Sequence, residues 1–114
     1  MANIQKIVEA VSSGSSSAKQ QVQDALKRAE ERKGYNAILS LTSERALSKA
    51  DEIDAKTKNG EDAGRLAGVP FIAKDNFLTF GSPTTAASKI LGNFETPIQA
   101  TAIEKLEAEG AICI

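Results

Sequence analysis

A chain of 114 residues with a net charge of −1, 41% hydrophobic and 25% charged residues has the balance of an ordinary soluble globular protein, and its size suits one compact domain or a portion of a larger one. The near-zero charge leaves no basic surplus to hold nucleic acid phosphates. The absence of histidine removes the usual imidazole base, the serine–histidine–aspartate triad and the common zinc sites, so acid or base chemistry falls to Lys, Asp, Glu or Tyr.

Ile4, Ile7, Val8 and Val11 recur at helical spacing and predict a short amphipathic helix that stops in Ser12-Ser13-Gly14-Ser15. Met1–Lys6 opens no apolar run, and nowhere do about 18 apolar residues follow one another. Neither a signal peptide nor a membrane span is expected, and the protein reads as cytoplasmic. Ser17-Ala18-Lys19-Gln20 is a capping-box start, and Ala18, Val22, Ala25, Leu26 and Ala29 give a second helix that Gly34 closes. Together these predict an N-terminal helical hairpin.

Asn36–Thr42 is short and apolar between turn residues and predicts a buried strand. Ser43 is placed to cap a longer helix, with Ala46, Leu47, Ala50 and Ile53 inward. Glu52 with Lys56 and Asp54 with Lys58 would pair on its wet side before Asn59-Gly60 ends it. A polar connector then leads into Gly68-Val69-Pro70-Phe71-Ile72-Ala73-Lys74-Asp75-Asn76-Phe77. A strand is expected from Pro70, where a missing backbone donor costs least, to about Asn76. Period-two geometry puts Phe71, Ala73 and Asp75 on one face and Ile72, Lys74 and Asn76 on the other. Both faces start apolar and finish polar, as a parallel strand does where it leaves a core for a site.

Ser82-Pro83-Thr84-Thr85 predicts a short helix through Ile90, stopped by Gly92, and Thr96-Pro97-Ile98-Gln99 predicts a second start. Ile98, Ala102, Ile103 and Leu106 would form the core face of that last helix, and Gly110 its end. Ala111–Ile114 begins another apolar strand, in which Cys113 reads as a buried small hydrophobe and not a nucleophile. One cysteine forms no internal disulfide, which suits a reducing compartment. The order is that of an α/β protein with parallel strands, without internal repeat, low-complexity segment or interdomain linker. An unfinished sheet exposes apolar surface and backbone groups, so these residues alone are expected to be marginally stable or self-associating.

Lys74 carries the functional question. A lysine at the end of an apolar strand is either a solvated cation or, where burial lowers its proton affinity, a base. Beside Asp75 the solvated reading is the ordinary one, and Asp75 and Asn76 could orient the lysine or cap the following turn.

The run Gly68–Asn76, followed by Thr84-Thr85-Ala86-Ala87-Ser88-Lys89-Ile90-Leu91, Asn93-Phe94 and the Ala100-Thr101 helix leading into Gly110-Ala111, resembles the amidase signature enzymes. Within that family it is most similar to the branch that supplies the amidase component of aspartyl/glutamyl-tRNA amidotransferases. The likeness covers nearly the whole chain in order. It implies the mixed α/β sheet of an amidase signature domain, with residues 1–114 as its N-terminal part: a helical hairpin, then strand, helix, strand, helix, strand. It also implies a serine, cis-serine, lysine triad with Lys74 in the lysine's place. There the lysine, relayed through the bridging serine, takes the proton from the nucleophilic serine as it attacks an amide carbonyl.

The substrate implied is glutamine, whose ammonia would amidate a misacylated tRNA after ATP activation in a complex with the other subunits of a heterotrimer. ATP and magnesium fall to no residue of this chain, which lacks a phosphate-binding glycine loop and a plausible carboxylate cluster. Two alternatives stand beside this one: a small-amide amidohydrolase of the same family that works alone, and a non-enzymatic interaction module. The sequence also departs from the pattern. The glycine- and serine-rich signature that carries both serines lies downstream of the lysine strand in the family and is absent here. Ser12–Ser17 lies on the wrong side of Lys74 and reads as linker and cap. Ser82 reads as a cap, Ser88 as helical, and Thr84 and Thr85 as helix initiation. By itself the chain is expected to be inactive.

Overall fold

Asn3 opens the first helix in the computed structural model, which describes residues 3–114; the reading of the N-terminus rests partly on Met1 and Ala2, which lie outside the described residues. The Asn3 side-chain oxygen accepts the Lys6 N–H at 2.8 Å, satisfying a donor that the first turn leaves orphaned, and α1 runs Ile4–Ser12. Ser17 does the same for α2, Ala18–Glu31, accepting the Gln20 N–H at 3.0 Å. Only that half of the capping box forms, because the Gln20 amide donates to Asp24. The third helix, α3, is Ser43–Lys58.

Small side chains let these helices approach closely. Ala18, Val22 and Ala25 of α2 are buried with Ala46, Ala50 and Ile53 of α3, and Val11 of α1 joins them. Both α1 and α2 rest on α3, so the N-terminal hairpin is held by the helix that follows it. Ile112 and Ile114 close the same core from the sheet side, with Ala67 of the turn that leads into it.

That sheet is a parallel pair. Strand β1 is Pro70–Phe71 and β2 is Ile112–Cys113, in the register Pro70↔Ile112 and Phe71↔Cys113, with α4, Thr101–Ala108, in the crossover. The Ile112 N–H donates to the Val69 carbonyl at 2.8 Å and the Ile114 N–H to the Phe71 carbonyl at 3.0 Å. Upstream the chains touch without side chains between them. The Gly68 N–H donates to the Gly110 carbonyl at 3.0 Å and the Leu66 N–H to the Glu109 carbonyl at 2.7 Å. Gly110 has φ +85°, and a Cβ there would stand 2.2 Å from the Ala63 carbonyl oxygen, a position no other residue can fill without moving the backbone.

Five expectations are corrected. Residues 36–42 form no strand: Leu39 is 77% exposed, and at their end the Thr42 hydroxyl donates to the Cys113 carbonyl at 3.1 Å, where a neighbouring strand would have offered a backbone N–H. Among the described residues two strands therefore stand where three were expected. Ser43 is the first residue of α3 and Thr42 occupies the cap position. The pairs Glu52–Lys56 and Asp54–Lys58 are not made. Lys49 bonds Glu52 at 3.1 Å, and Asp54 turns inward to accept the Ala18 N–H at 2.7 Å and the Lys19 N–H at 3.1 Å. A carboxylate on α3 thus caps α2, because the positive end of a helix dipole attracts an anion more strongly than an exposed lysine does.

The helix expected from Ser82 to Ile90 is a loop ending in a single turn of 3₁₀ helix, Lys89–Leu91, since Ala86 and Ala87 take positive φ of 47° and 59°, which a right-handed helix cannot contain. The last helix starts at Thr101. Of its expected core face only Ile103 is buried: Ala102 and Leu106 are exposed, and Ile98, 63% exposed, stays out of the core because Gln99 lies ahead of the helix and bonds Phe80 and Glu107.

Two substitutions measure these constraints. Gly110→Ala should destabilise the protein by at least about 1–3 kcal/mol through backbone strain alone, whereas Asp54→Ala should cost about 1 kcal/mol through the lost cap. Urea unfolding of both variants checks this; a Gly110→Ala midpoint equal to the native one would show that the 63–68 and 109–110 crossing is not fixed by glycine.

Candidate functional site

The ladder ends at Phe71, and residues 72–76 leave the sheet without a strand beside them among the described residues. The expected strand to Asn76 is thus shortened, but its alternation persists: Phe71, Ala73 and Asp75 are half-buried, and Ile72, Lys74 and Asn76 are exposed. Lys74 borders a cleft of about 450 Å³ together with Ser40, Thr42, Thr84, Thr85 and Cys113. A larger, mainly apolar groove of about 680 Å³, lined by Tyr35, Leu39, Leu41 and Phe71, adjoins it and shares Ile72 and Ile114 with it.

One wall of the cleft is the loop that was expected to be a helix. Thr84 and Thr85 both fasten it to the strand exit. The Thr84 N–H donates to the Phe94 carbonyl at 3.0 Å, and its hydroxyl donates to the Phe77 carbonyl at 3.3 Å while accepting the Thr79 N–H at 3.4 Å. Asp75 holds Thr85 twice. One carboxylate oxygen accepts the Thr85 N–H at 2.8 Å and the other accepts the Thr85 hydroxyl. The Asp75 carbonyl also accepts the Ala86 N–H at 2.8 Å. The Thr85 hydroxyl, followed by its backbone N–H, holds the Asp75 carboxyl below the usual aspartate range. Two consecutive alanines with positive φ cost about 1–2 kcal/mol each, so the loop is strained and these bonds oppose its relaxation.

The far edge of the strand exit is fixed by an ionic network. Arg45 of α3 meets Glu107 of α4 with two parallel bonds of 2.6 and 2.7 Å, both groups largely buried. The Gln99 amide donates to Glu107 at 2.7 Å, and its oxygen accepts the Phe80 N–H at 3.1 Å. Burial raises the Glu107 carboxyl, but the bonds from Arg45 and Gln99 outweigh it and hold the carboxyl below its ordinary value. Cys113 is buried, and burial pushes its thiol up, opposed by the facing Ala73 N–H. A raised thiol is a poor nucleophile, in keeping with its reading as a core residue.

The structure brings Lys74 to the cleft with Thr84 and Thr85 and also places Ser82 on its lining. Ser88 lies at the start of the 3₁₀ turn and not within a helix. The Ser12–Ser17 cluster is a turn and a cap: Ser15 bonds the Ala10 carbonyl and Ser17 caps α2. Thr85, read from the sequence as helix initiation, instead bonds Asp75, read as orienting the lysine or capping a turn; a bond across ten residues leaves no trace in local periodicity. Among the described residues, no three His, Cys, Asp or Glu side chains group to hold a metal ion.

The amidase family profile matches residues 20–114. The chain belongs to the amidase family. A curated relative from Gloeobacter violaceus, one of the subunits of a glutamyl-tRNA(Gln) amidotransferase, is 44% identical over all of this chain, which spans 24% of that relative's length. Among solved structures, a chain from the inhibitor-bound form of a vestigial protein complex tied to the origins of an s-triazine catabolic enzyme superposes with a TM-score of 0.93 at 33% identity. That match covers 98% of this chain and 25% of the other. A bacterial aryl acylamidase of the amidase signature family gives a TM-score of 0.91 at 27% identity over 98% of this chain and 24% of that one. The α/β fold of this amidase segment is thus that of its solved relatives, and the segment spans about a quarter of the length of the curated relatives it matches. No helix among the described residues is long and apolar enough to cross a membrane.

The Asp75–Thr85 tie gives a signed pH dependence. Its carboxyl lies below the ordinary value when folded, so its contribution is complete above the unfolded pKa of about 3.9 and is lost as pH falls through the lower folded pKa. A carboxyl NMR titration should find Asp75 below the ordinary range, and Thr85→Val should move it back up. A native Asp75 that titrates at or above the free value would remove the tie.

Proposed function

We propose that these residues form the N-terminal part of a single amidase domain that works as the glutamine-hydrolysing subunit of a glutamyl-tRNA amidotransferase, with Lys74 as its catalytic base. The observation that carries this is the 44% identity to a glutamyl-tRNA(Gln) amidotransferase component from end to end of the chain. The position of Lys74 supports it: the residue leaves a parallel sheet beyond the carboxyl end of β1, where α/β folds collect ligands, and it borders the cleft behind the Asp75–Thr85 loop.

A hydroxyl is a weak nucleophile until a base takes its proton. In this proposal Lys74 receives the proton of a nucleophilic serine through a second, bridging serine, as the nucleophile attacks the side-chain amide of glutamine. The proton then passes to the departing nitrogen, ammonia leaves, and water releases glutamate from the acyl-enzyme. In this proposal both serines lie outside these 114 residues, and the segment alone would be inactive. ATP and magnesium, which would activate the misacylated tRNA, fall in this proposal to partner subunits in a cytoplasmic complex.

A second reading is a small-amide amidohydrolase acting without partners, which the likeness to the aryl acylamidase favours. Glutamine hydrolysis by the full-length protein assembled with its partner subunits tests both. Lys74→Ala should lower turnover by about 10²–10⁴-fold, the scale of a general base, while circular dichroism stays native. Undiminished turnover would remove Lys74 from the mechanism. Hydrolysis of simple amides by the full-length protein alone, with none of glutamine, would replace the first reading with the second.

A further inference from the structure

We propose that Asp75 is a positioning residue, which uses its carboxylate to lock the Thr84–Ser88 loop against the strand exit and so keeps that wall of the cleft in register with Lys74. The proposal rests on the reading of Lys74 as the base.

The geometry separates Asp75 from the two roles a carboxylate beside a lysine would ordinarily take. Among the described residues it makes no ion pair, and both oxygens are engaged by Thr85, one on the backbone N–H and one on the hydroxyl. It is not a solvated turn cap, because its partner lies ten residues away and the side chain is half-buried. Its main-chain carbonyl takes the next N–H, that of Ala86. Three bonds from one residue therefore hold two successive residues of the loop, and that residue follows Lys74 directly in the chain.

The loop needs such a hold. Ala86 and Ala87 both have positive φ, a conformation that alanine abandons unless the surroundings impose it. The N–H groups across the bend are spent within this assembly: Thr85 and Ala86 on Asp75, Ala87 on the Thr85 hydroxyl at 3.2 Å, and Ser88 on the Thr85 carbonyl at 2.8 Å. The loop therefore contributes shape to the cleft and offers these donors to no substrate. The Thr85 hydroxyl is the hinge of the arrangement, since it donates to Asp75 and accepts from Ala87 at once. Replacing it breaks the link between carboxylate and bend while leaving the charge of Asp75 in place.

The test uses the full-length enzyme with its partner subunits and follows glutamine turnover per active site, with sites counted by labelling to completion with an acylating probe. A defect that only lowers the folded fraction reduces the number of labelled sites and leaves the turnover of each unchanged. Asp75→Ala and Thr85→Val should each lower kcat per labelled site by about 10–100-fold, the cost of misplacing a reacting group by about an ångström. Thr85→Ser, which keeps the hydroxyl, should recover most of that loss. The double variant Asp75→Ala, Thr85→Val should lose no more than the worse single, because both remove one shared tie. Lys74→Ala serves as the control: if it stays active, the base reading itself has failed. If Lys74→Ala is inactive while Thr85→Val keeps kcat per site within about twofold of the native enzyme, a difference inside the error of independent sites, Asp75 does not position the site. Should Asp75→Ala fail to fold, the Thr85→Val and Thr85→Ser pair decides by the same measure.

Discussion

The close passage of residues 63–68 against 109–110 sets everything downstream of it. Parallel strands are joined by long crossovers, so no tight turn fixes their register, and a slip of one residue would exchange the faces of β1. Here the register is fixed before the strands begin. The Leu66 and Gly68 N–H groups bond the Glu109 and Gly110 carbonyls, at a separation that only glycine tolerates on both sides, Gly64 against Glu109 and Gly110 against Ala63, each at positive φ. Once those backbones touch, Val69 and Phe71 must offer their carbonyls to Ile112 and Ile114, and the alternation from Phe71 to Asn76 follows. Lys74 is exposed and Asp75 turned inward because of a contact made by residues several positions earlier.

What the sheet aims, two polar assemblies then hold. On one side Asp75 and the two threonines tie the strained Ala86-Ala87 bend to the strand exit. On the other, the Arg45–Glu107 pair, largely withdrawn from water, gives Gln99 a fixed partner from which it grips the Phe80 backbone. Removing one member of such a pair leaves a charge unpartnered in a low dielectric, which is why networks of this kind specify geometry more than they add stability. Between them they restrain the loop that runs from Phe77 to Gln99, although it has little regular structure of its own.

The helices were legible in the sequence because periodicity reports burial of a face: Val11, Ala18, Val22, Ala25, Ala46, Ala50 and Ile53 are all inside. The parallel arrangement and the alternation through Lys74 were legible for the same reason. Residues 36–42 misled because an apolar run marks burial or a surface awaiting cover, and pattern alone does not tell these apart. The Ser82–Thr85 start signal misled because a serine–proline–threonine sequence serves loops as well as helices, and the competing bonds to Asp75 and Phe94 come from residues about ten away. Asp54 likewise reads as half of a local ion pair until α2 is laid against α3. Periodicity sees neighbours on one element and is blind to a carboxylate that reaches another. The place of Lys74 at the strand exit could be read, whereas the loop beside it could not.

The exposure of Lys74 bears on how the catalytic work proposed for it would be divided. Its side chain is exposed and borders a cleft open beside an apolar groove. Tyr35 and Leu39 are 79% and 77% exposed and Ile72 is 57% exposed, a concentration of apolar surface that a monomeric protein seldom leaves to water. In the proposed enzyme, a segment that covers this surface would bring the nucleophile and exclude solvent from the lysine in the same step. Positioning and desolvation would then have separate sources. In that proposal the first would come from these residues themselves, through the glycine crossing and the Asp75–Thr85 tie. The second would depend on assembly, so the proposed base would be shielded from solvent only where the nucleophile it serves is also present.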